Sequence, residues 1–175
     1  MVTSAECRLH NISVLGKLKI GDLIEFPRNF YKHWAVYVGD GYVVHRSGND
    51  RDGIHWNPSH ISSITGKAIV KMEHFFTVCK SSKATINNKK DRKFSPRQTQ
   101  EIKTAALMNI GKEGYNLLTQ NCEHFASYCR YGVECSDQVS KFLIIAGIVV
   151  LFLILGLLLI WFIVRKRKKG QKKTK

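Results

Sequence analysis

Cys122 and the histidines His33, His45 and His124 carry the side chains of this chain best suited to acyl-group chemistry. A thiolate is a strong nucleophile, and an imidazole is the base that generates one near neutral pH. Cys122 follows Asn121, a favoured N-cap, which places the cysteine in the first turn of a helix. There the unpaired N–H groups and the positive dipole end stabilise a thiolate. The same N–H groups suit the oxyanion of a tetrahedral acyl intermediate. A cysteine without a partner is more often a small buried hydrophobe, so the reading needs a base. His124 lies two residues on, about 200° around the helix axis, and points away from Cys122. It reads as structural.

His33 and His45 flank two β-rich runs joined at Gly39-Asp40-Gly41, the strongest hairpin signal in the chain. Either histidine alone reads as a satisfied, partly buried side chain. To act together they must share a sheet face, and the turn decides this. A two-residue turn at Asp40-Gly41 pairs Val36 with His45 and puts His33 on the opposite face. A three-residue Gly39-Asp40-Gly41 loop pairs Ala35 with His45 and brings His33 diagonally beside it. A two-histidine site requires the longer loop.

The elements that must hold these residues follow from the surrounding pattern. Residues 1–20 read as a lead-in, and Leu23–Phe26, closed by Pro27, as a strand. Residues 46–66 read as a long polar loop. Ala68 to Met72 and Phe75 to Val78 suggest further strands, and Lys80 to Lys93 a basic connection. Ser95 as cap, Pro96 at the first position and Gln98 three after the cap predict a helix running to Gly111. A second helix runs from Asn121-Cys122 to Gly132. Strands precede helices without βαβ alternation, so the fold class is α+β, an antiparallel sheet packed on helices.

The charge is divided along the chain. Residues 1–141 hold twenty Lys+Arg and thirteen Asp+Glu, and 165–175 hold eight Lys+Arg and no acid. Between them, 142–164 contain no charged side chain, long enough for one transmembrane helix. This excludes a simple soluble protein, a disordered chain and a multi-span transporter. The expected organisation is a catalytic domain over 1–141 with its core at about 17–135, a span at 142–164 and a basic tail at 165–175. The tail's cations, and its dilysine-like KKTK end, argue for a cytosolic tail. The polar N-terminus, unlike a secretory signal, and the five unframed cysteines argue for a cytosolic body. We give the second argument more weight. A tail-anchored protein of the endoplasmic reticulum or another organelle membrane is expected, with the Asn11 sequon unused. The cations at Lys83, Lys89, Lys90, Arg92 and Lys93 lack interleaved aromatics and read as a solvated or membrane-facing loop, so no nucleic-acid partner is expected.

The block GDLIEFPRNFYKHWAVYVGDGYVVH from Gly21 to His45 closely resembles the lecithin:retinol acyltransferase family, as does NCEHF at 121–125 followed by RYG at 130–132. The compact H-Ras-like suppressor branch, phospholipases A and acyltransferases, is the nearest match. The resemblance covers about residues 17–164. It implies a circularly permuted NlpC-type, papain-like cysteine-hydrolase fold. Carried over by motif, Cys122 is the nucleophile, His33 the general base and His45 the third member that orients it. Tyr31 and the Cys122 backbone N–H would bind the oxyanion. The implied activity is thiol-mediated cleavage of glycerophospholipid acyl esters. The acyl group would pass to water, to the amine of phosphatidylethanolamine or to a lysophospholipid hydroxyl. The family implies no cofactor and no metal, and Cys7, Cys79, Cys129 and Cys135 show no metal-ligand spacing. Two alternatives are a cysteine peptidase or amidase on the same scaffold and a non-catalytic interaction protein.

Overall fold

Leu23–Pro27 (β1), Lys32–Gly39 (β2) and Tyr42–Gly48 (β3), each carrying β-branched and aromatic residues, form the centre of an antiparallel sheet. The computed structural model describes residues 4–29, 31–48, 68–114 and 122–171. Ala68–His74 (β4), Thr85–Ile86 (β5) and Glu113–Gly114 (β6) complete the sheet. Among the described residues it has six strands in the order β5-β1-β2-β3-β4-β6. The helices are Ser4–Leu15 (α1), Phe75–Cys79 (α2), Thr99–Leu107 (α3), Cys122–Tyr131 (α4) and Asp137–Gln171 (α5). The chain is therefore α+β, as its pattern predicts. It divides into two compact units, Met1–Ser136 and Asp137–Lys175.

Strand alternation sends the sheet's side chains into two apolar clusters. Leu23, Trp34, Val36, Val38, Val44 and Val70 pack with Ile102 and Ala106 of α3 and with Cys122, Phe125, Ala126 and Cys129 of α4. Ile24, Phe26, Ala35, Tyr37 and Val43 pack on the other face with Phe75, Val78 and Cys79 of α2. Val14 and Leu15 of α1 close that second cluster.

The hairpin register resolves the two turn readings in an unforeseen way. Gly39 pairs with Tyr42, so Asp40 and Gly41 alone form the turn, both with positive φ (53° and 76°). Beyond it, Tyr37 pairs with Val43 and Ala35 with His45, leaving Val38 as an extra residue in β2. The short turn is correct, but a bulge supplies the displacement that the longer loop was invoked to give. His33 and His45 thereby share a face.

Several expectations are corrected. The lead-in contains α1, which is held by polar contacts as well as by Val14 and Leu15. Asn11 donates to the Ser82 carbonyl at 2.9 Å and accepts from the Ala84 N–H at 2.8 Å, and His10 Nε2 lies 2.9 Å from the Ala84 carbonyl. Asn11 is buried, so a glycan on its amide is incompatible with the folded domain. Phe75–Val78, expected as a strand, is helical. Arg28 binds the carbonyls of Val78 and Cys79 at that helix's C-terminus, 2.5 and 3.0 Å away. The 80–93 connection contains β5 and a 3₁₀ turn, Lys89–Arg92.

Lys90 is not solvated: its ammonium lies 3.0 Å from the buried Glu123 carboxylate. α3 starts at Thr99, and just before it the Arg97 N–H is bound to the Arg130 carbonyl at 2.8 Å. Gln98 is the cap residue, and its N–H donates to Glu101 at 3.1 Å. That helix ends at Leu107, short of Gly111. Residues 46–48 belong to β3, while the rest of the expected loop, the Asn121 cap and the KKTK end lie outside the described residues.

α4 is anchored at its C-terminal end by Arg130. Its guanidinium donates to both Asp91 oxygens, 2.9 and 2.7 Å, and to the Gly21 carbonyl at 2.7 Å. The Tyr131 hydroxyl donates to the same Asp91 at 2.8 Å. Arg130→Ala takes the donor from the buried Gly21 carbonyl and leaves Asp91 with the Tyr131 hydroxyl but no cation. It should lower unfolding stability by about 2–4 kcal/mol in urea titration. Asp91→Asn should cost less, since that side chain is 36% exposed. Equal stability of Arg130→Ala and the native chain would remove this anchor from the account.

Candidate active site

The bulged register places His33 and His45 diagonally on the face that carries Ala35 and Val43. Both are 3% exposed. His33 Nε2 lies 2.9 Å from His45 Nδ1, with the two rings edge to face at 83°. The Phe26 ring, 6.0 Å from His33, walls the pair. β4 then adds a residue that the sequence did not single out. Val43 pairs with Glu73, which puts Glu73 on the histidine face, and Glu73 Oε2 lies 2.7 Å from His45 Nε2. The sequence contains no signal for it, because the β3–β4 register is set across residues 49–67.

Cys122 is the first residue of α4, as the helix-start reading requires. Its Sγ lies 3.7 Å from the Lys32 carbonyl oxygen and accepts from the Trp34 N–H. The thiol therefore rests against the main chain on both sides of His33, although α4 packs on the opposite sheet face. β2 begins pairing with β3 only at Ala35, so this stretch of β2 is open to the helix start.

Tyr31 is half-buried just before β2 and hydrogen-bonded to Arg28. Burial raises its phenol pKa, and the nearby Cys122 sulfur raises it further, against the opposing Arg28 charge. Arg28, also missed in the sequence, sits with its guanidinium 5.8 Å from the Phe26 ring centroid. His124 lies in α4, where burial lowers its pKa against the charges of Glu134 and Glu123.

Burial governs the protonation states. It holds His33 well below the ordinary histidine range, helped by the charges of His45, Arg28 and Lys80. His45 is also lowered by burial, although its bond to Glu73 pulls the other way. The Cys122 thiol is pushed up to about 11, chiefly by burial. The N–H groups of Trp34, Cys122 and Glu123 pull it down, and the Glu123 charge pushes it up. The helix start favours a thiolate, as its free N–H groups imply, but desolvation outweighs it. At rest the site holds a neutral thiol and two neutral imidazoles. Among the described residues, no cluster of three or more His, Cys, Asp or Glu has the arrangement of a metal site.

A raised pKa means less thiolate at any given pH. Peptide-resolved iodoacetamide alkylation of Cys122 in the folded protein should therefore climb about tenfold per pH unit from 7 to 10. The unfolded chain should level off near pH 9, the ordinary thiol value. A folded-state plateau below pH 7 would show a preformed thiolate instead.

The family model described as lecithin retinol acyltransferase matches residues 16–135. Human phospholipase A and acyltransferase 3 is 47% identical over 131 residues, 74% of this chain and 81% of its own length. Human phospholipase A and acyltransferase 2 is 41% identical over 131 residues, again 74% and 81%. Phospholipase A and acyltransferase 1 of Rattus norvegicus is 40% identical over 146 residues, 78% of this chain and 84% of its own. The matched span contains the histidine hairpin, Glu73 and the Cys122 helix together, and the chain belongs to the lecithin retinol acyltransferase family.

Proposed function

We propose that this protein is a membrane-anchored thiol acyl-enzyme that cleaves acyl esters of glycerophospholipids. The observation that carries the reading is the Cys122 sulfur lying against the main chain that flanks His33, whose ring is bonded to His45. The scaffold fits a circularly permuted NlpC-type, papain-like fold. In papain-like enzymes the cysteine precedes the histidine in sequence, whereas here the histidine strands precede the cysteine helix.

Cys122 Sγ attacks the ester carbonyl while His33 takes the thiol proton, since a thiol of pKa about 11 does not ionise unaided. The carbonyl oxygen becomes an oxyanion held by the Cys122 N–H and the Tyr31 hydroxyl. The intermediate collapses, the C–O bond to the glycerol breaks, and the imidazolium of His33 protonates the departing lysophospholipid. A thioester remains. Water, the amine of phosphatidylethanolamine or a lysophospholipid hydroxyl then attacks it and restores the thiol. His45 orients His33 throughout.

Lipid is favoured over peptide by the second unit. Leu143–Phe162 of α5 has mean hydropathy 3.4 and is long enough to cross a membrane. Its side chains are exposed along that length, and apolar surface on this scale calls for a bilayer. The names of the relatives point the same way.

Incubation with a defined two-chain phosphatidylcholine should give a hydroxylamine-sensitive acyl adduct on Cys122 by intact-protein mass spectrometry. Cys122→Ser and His33→Ala should each lower turnover by a factor on the order of 10³ or more. Undiminished turnover by Cys122→Ser would sink the acyl-enzyme reading.

The domain and topology proposals are tested on a truncated chain and on the full chain in turn. A chain ended at Lys141 should be soluble and folded and should cleave dispersed short-chain lipid. Its activity on bilayers should fall about tenfold or more. In intact microsomes, added protease should digest the body of the full chain, which faces the cytosol. A protected body reverses the topology, and an unfolded truncated chain moves the domain boundary.

A further inference from the structure

We infer that Glu73 is a positioning residue: through its bond to His45 it selects the tautomer of His33 that can accept the thiol proton. The inference rests on the roles proposed above for Cys122 and His33.

An ionised carboxylate only accepts hydrogen bonds. With Glu73 Oε2 at 2.7 Å, His45 Nε2 must therefore carry hydrogen. A neutral imidazole bears one N–H, so His45 Nδ1 is an acceptor. Its neighbour at 2.9 Å, His33 Nε2, must then be the donor. That places the proton of His33 on Nε2 and the lone pair on Nδ1. The base atom of the site is thus His33 Nδ1.

The opposite proton pattern fits the same rings. If His45 carried its hydrogen on Nδ1 it would donate to His33 Nε2, and His33 would bear N–H at Nδ1 with nothing left to accept a thiol proton. Geometry alone does not choose between the two patterns. Burial keeps both rings neutral, so protonation does not override the choice. The acceptor-only carboxylate at the end of the relay decides it.

In the reaction the S–H bond of Cys122 breaks and an N–H bond forms at His33 Nδ1. The resulting imidazolium keeps its Nε2–H on His45, and His45 keeps its Nε2–H on Glu73. No proton leaves through Glu73; its charge acts on the imidazolium across one ring. The other charges facing the relay, Lys71, Arg28 and Lys80, are cationic and oppose that imidazolium, which makes the carboxylate the favourable partner. A partly exposed carboxylate serving only to pair two strands would contribute little and would leave the tautomers alone.

The test uses the full chain in detergent micelles with ¹⁵N-labelled histidine, where long-range ¹H–¹⁵N correlations report each ring's tautomer. The native protein should show Nε2–H on both His33 and His45. In Glu73→Gln the side-chain amide can donate as well as accept, so both tautomers should be populated. Its kcat should fall about 10- to 100-fold, with KM changed less than about threefold. Glu73→Asp should recover the native tautomers and part of the kcat. Native tautomers in Glu73→Gln with native kcat would overturn the inference, as would an equal loss in Glu73→Asp and Glu73→Gln. The tautomer readout needs no turnover. If no thioester formed on Cys122, the acyl-enzyme reading would fail while Glu73's control of the relay was still decided.

Discussion

Side chains alternate across a strand, so a slip of one residue between β2 and β3 would send His33 and His45 to opposite faces of the sheet. Among the described pairings of β2 with β3 the register is displaced at Val38, and the contact between the two histidines follows from it. With Ala35 opposite His45, the two imidazoles meet at 2.9 Å. With Val43 opposite Glu73, the carboxylate reaches the second imidazole. The turn itself is short, and Gly41 suits it. Its φ is 76°, and a Cβ there would stand 3.0 Å from His74 Nε2. The displacement lies in the strand, where an extra residue raises local twist and re-aims the side chains beyond it.

The second constraint is the low polarity that encloses these groups. Burial holds the histidines neutral and the thiol protonated, so the resting site carries no thiolate–imidazolium pair. Such a site does not depend on a permanently reactive sulfur, which would be open to oxidation. In the reaction proposed above, charge appears only when substrate accepts the sulfur, at the moment the oxyanion donors and the relay are in place to bind it. In that proposal the N–H groups at the start of α4 act on the oxyanion rather than on a resting thiolate, a different use of the same helix end.

Much of this was legible in the residues. The hairpin, the strand before it and the helix opening at Cys122 came from local signals: β-branched runs, Gly-Asp-Gly, and the approach to a cap. What failed locally was decided by contacts distant in sequence. Phe75–Val78 has strand formers throughout, yet forms α2 because Arg28 takes its terminal carbonyls. Ser95-Pro96 has the form of a helix start, yet the Arg97 N–H is committed to Arg130 in α4. Helix α1 has little amphipathic pattern and is held by Asn11 and His10 against residues 82–84. Glu73 was invisible for a similar reason, since its bond to His45 exists only once β3 and β4 are in register. Propensity describes a segment, whereas these outcomes belong to pairs of segments.

The basic connection shows how such a pair of segments can hold the helix that carries Cys122. Lys90 and Asp91 are neighbours in the 3₁₀ turn Lys89–Arg92, yet they bind opposite ends of α4. Lys90 meets Glu123, next to Cys122, while Asp91 meets Arg130 and Tyr131 at the far end. Glu123 also accepts from Ser136 at 2.6 Å, and Lys90 reaches the Cys135 carbonyl at 3.2 Å. An acid in the first turn and a cation in the last complement the helix dipole, so both ends of the clamp agree with the helix they hold. A buried ion pair such as Lys90–Glu123 contributes little net stability once desolvation is counted, and its presence calls for another reason. The two contacts hold both ends of the helix that carries Cys122, beside the apolar packing of Phe125, Ala126 and Cys129 on β2.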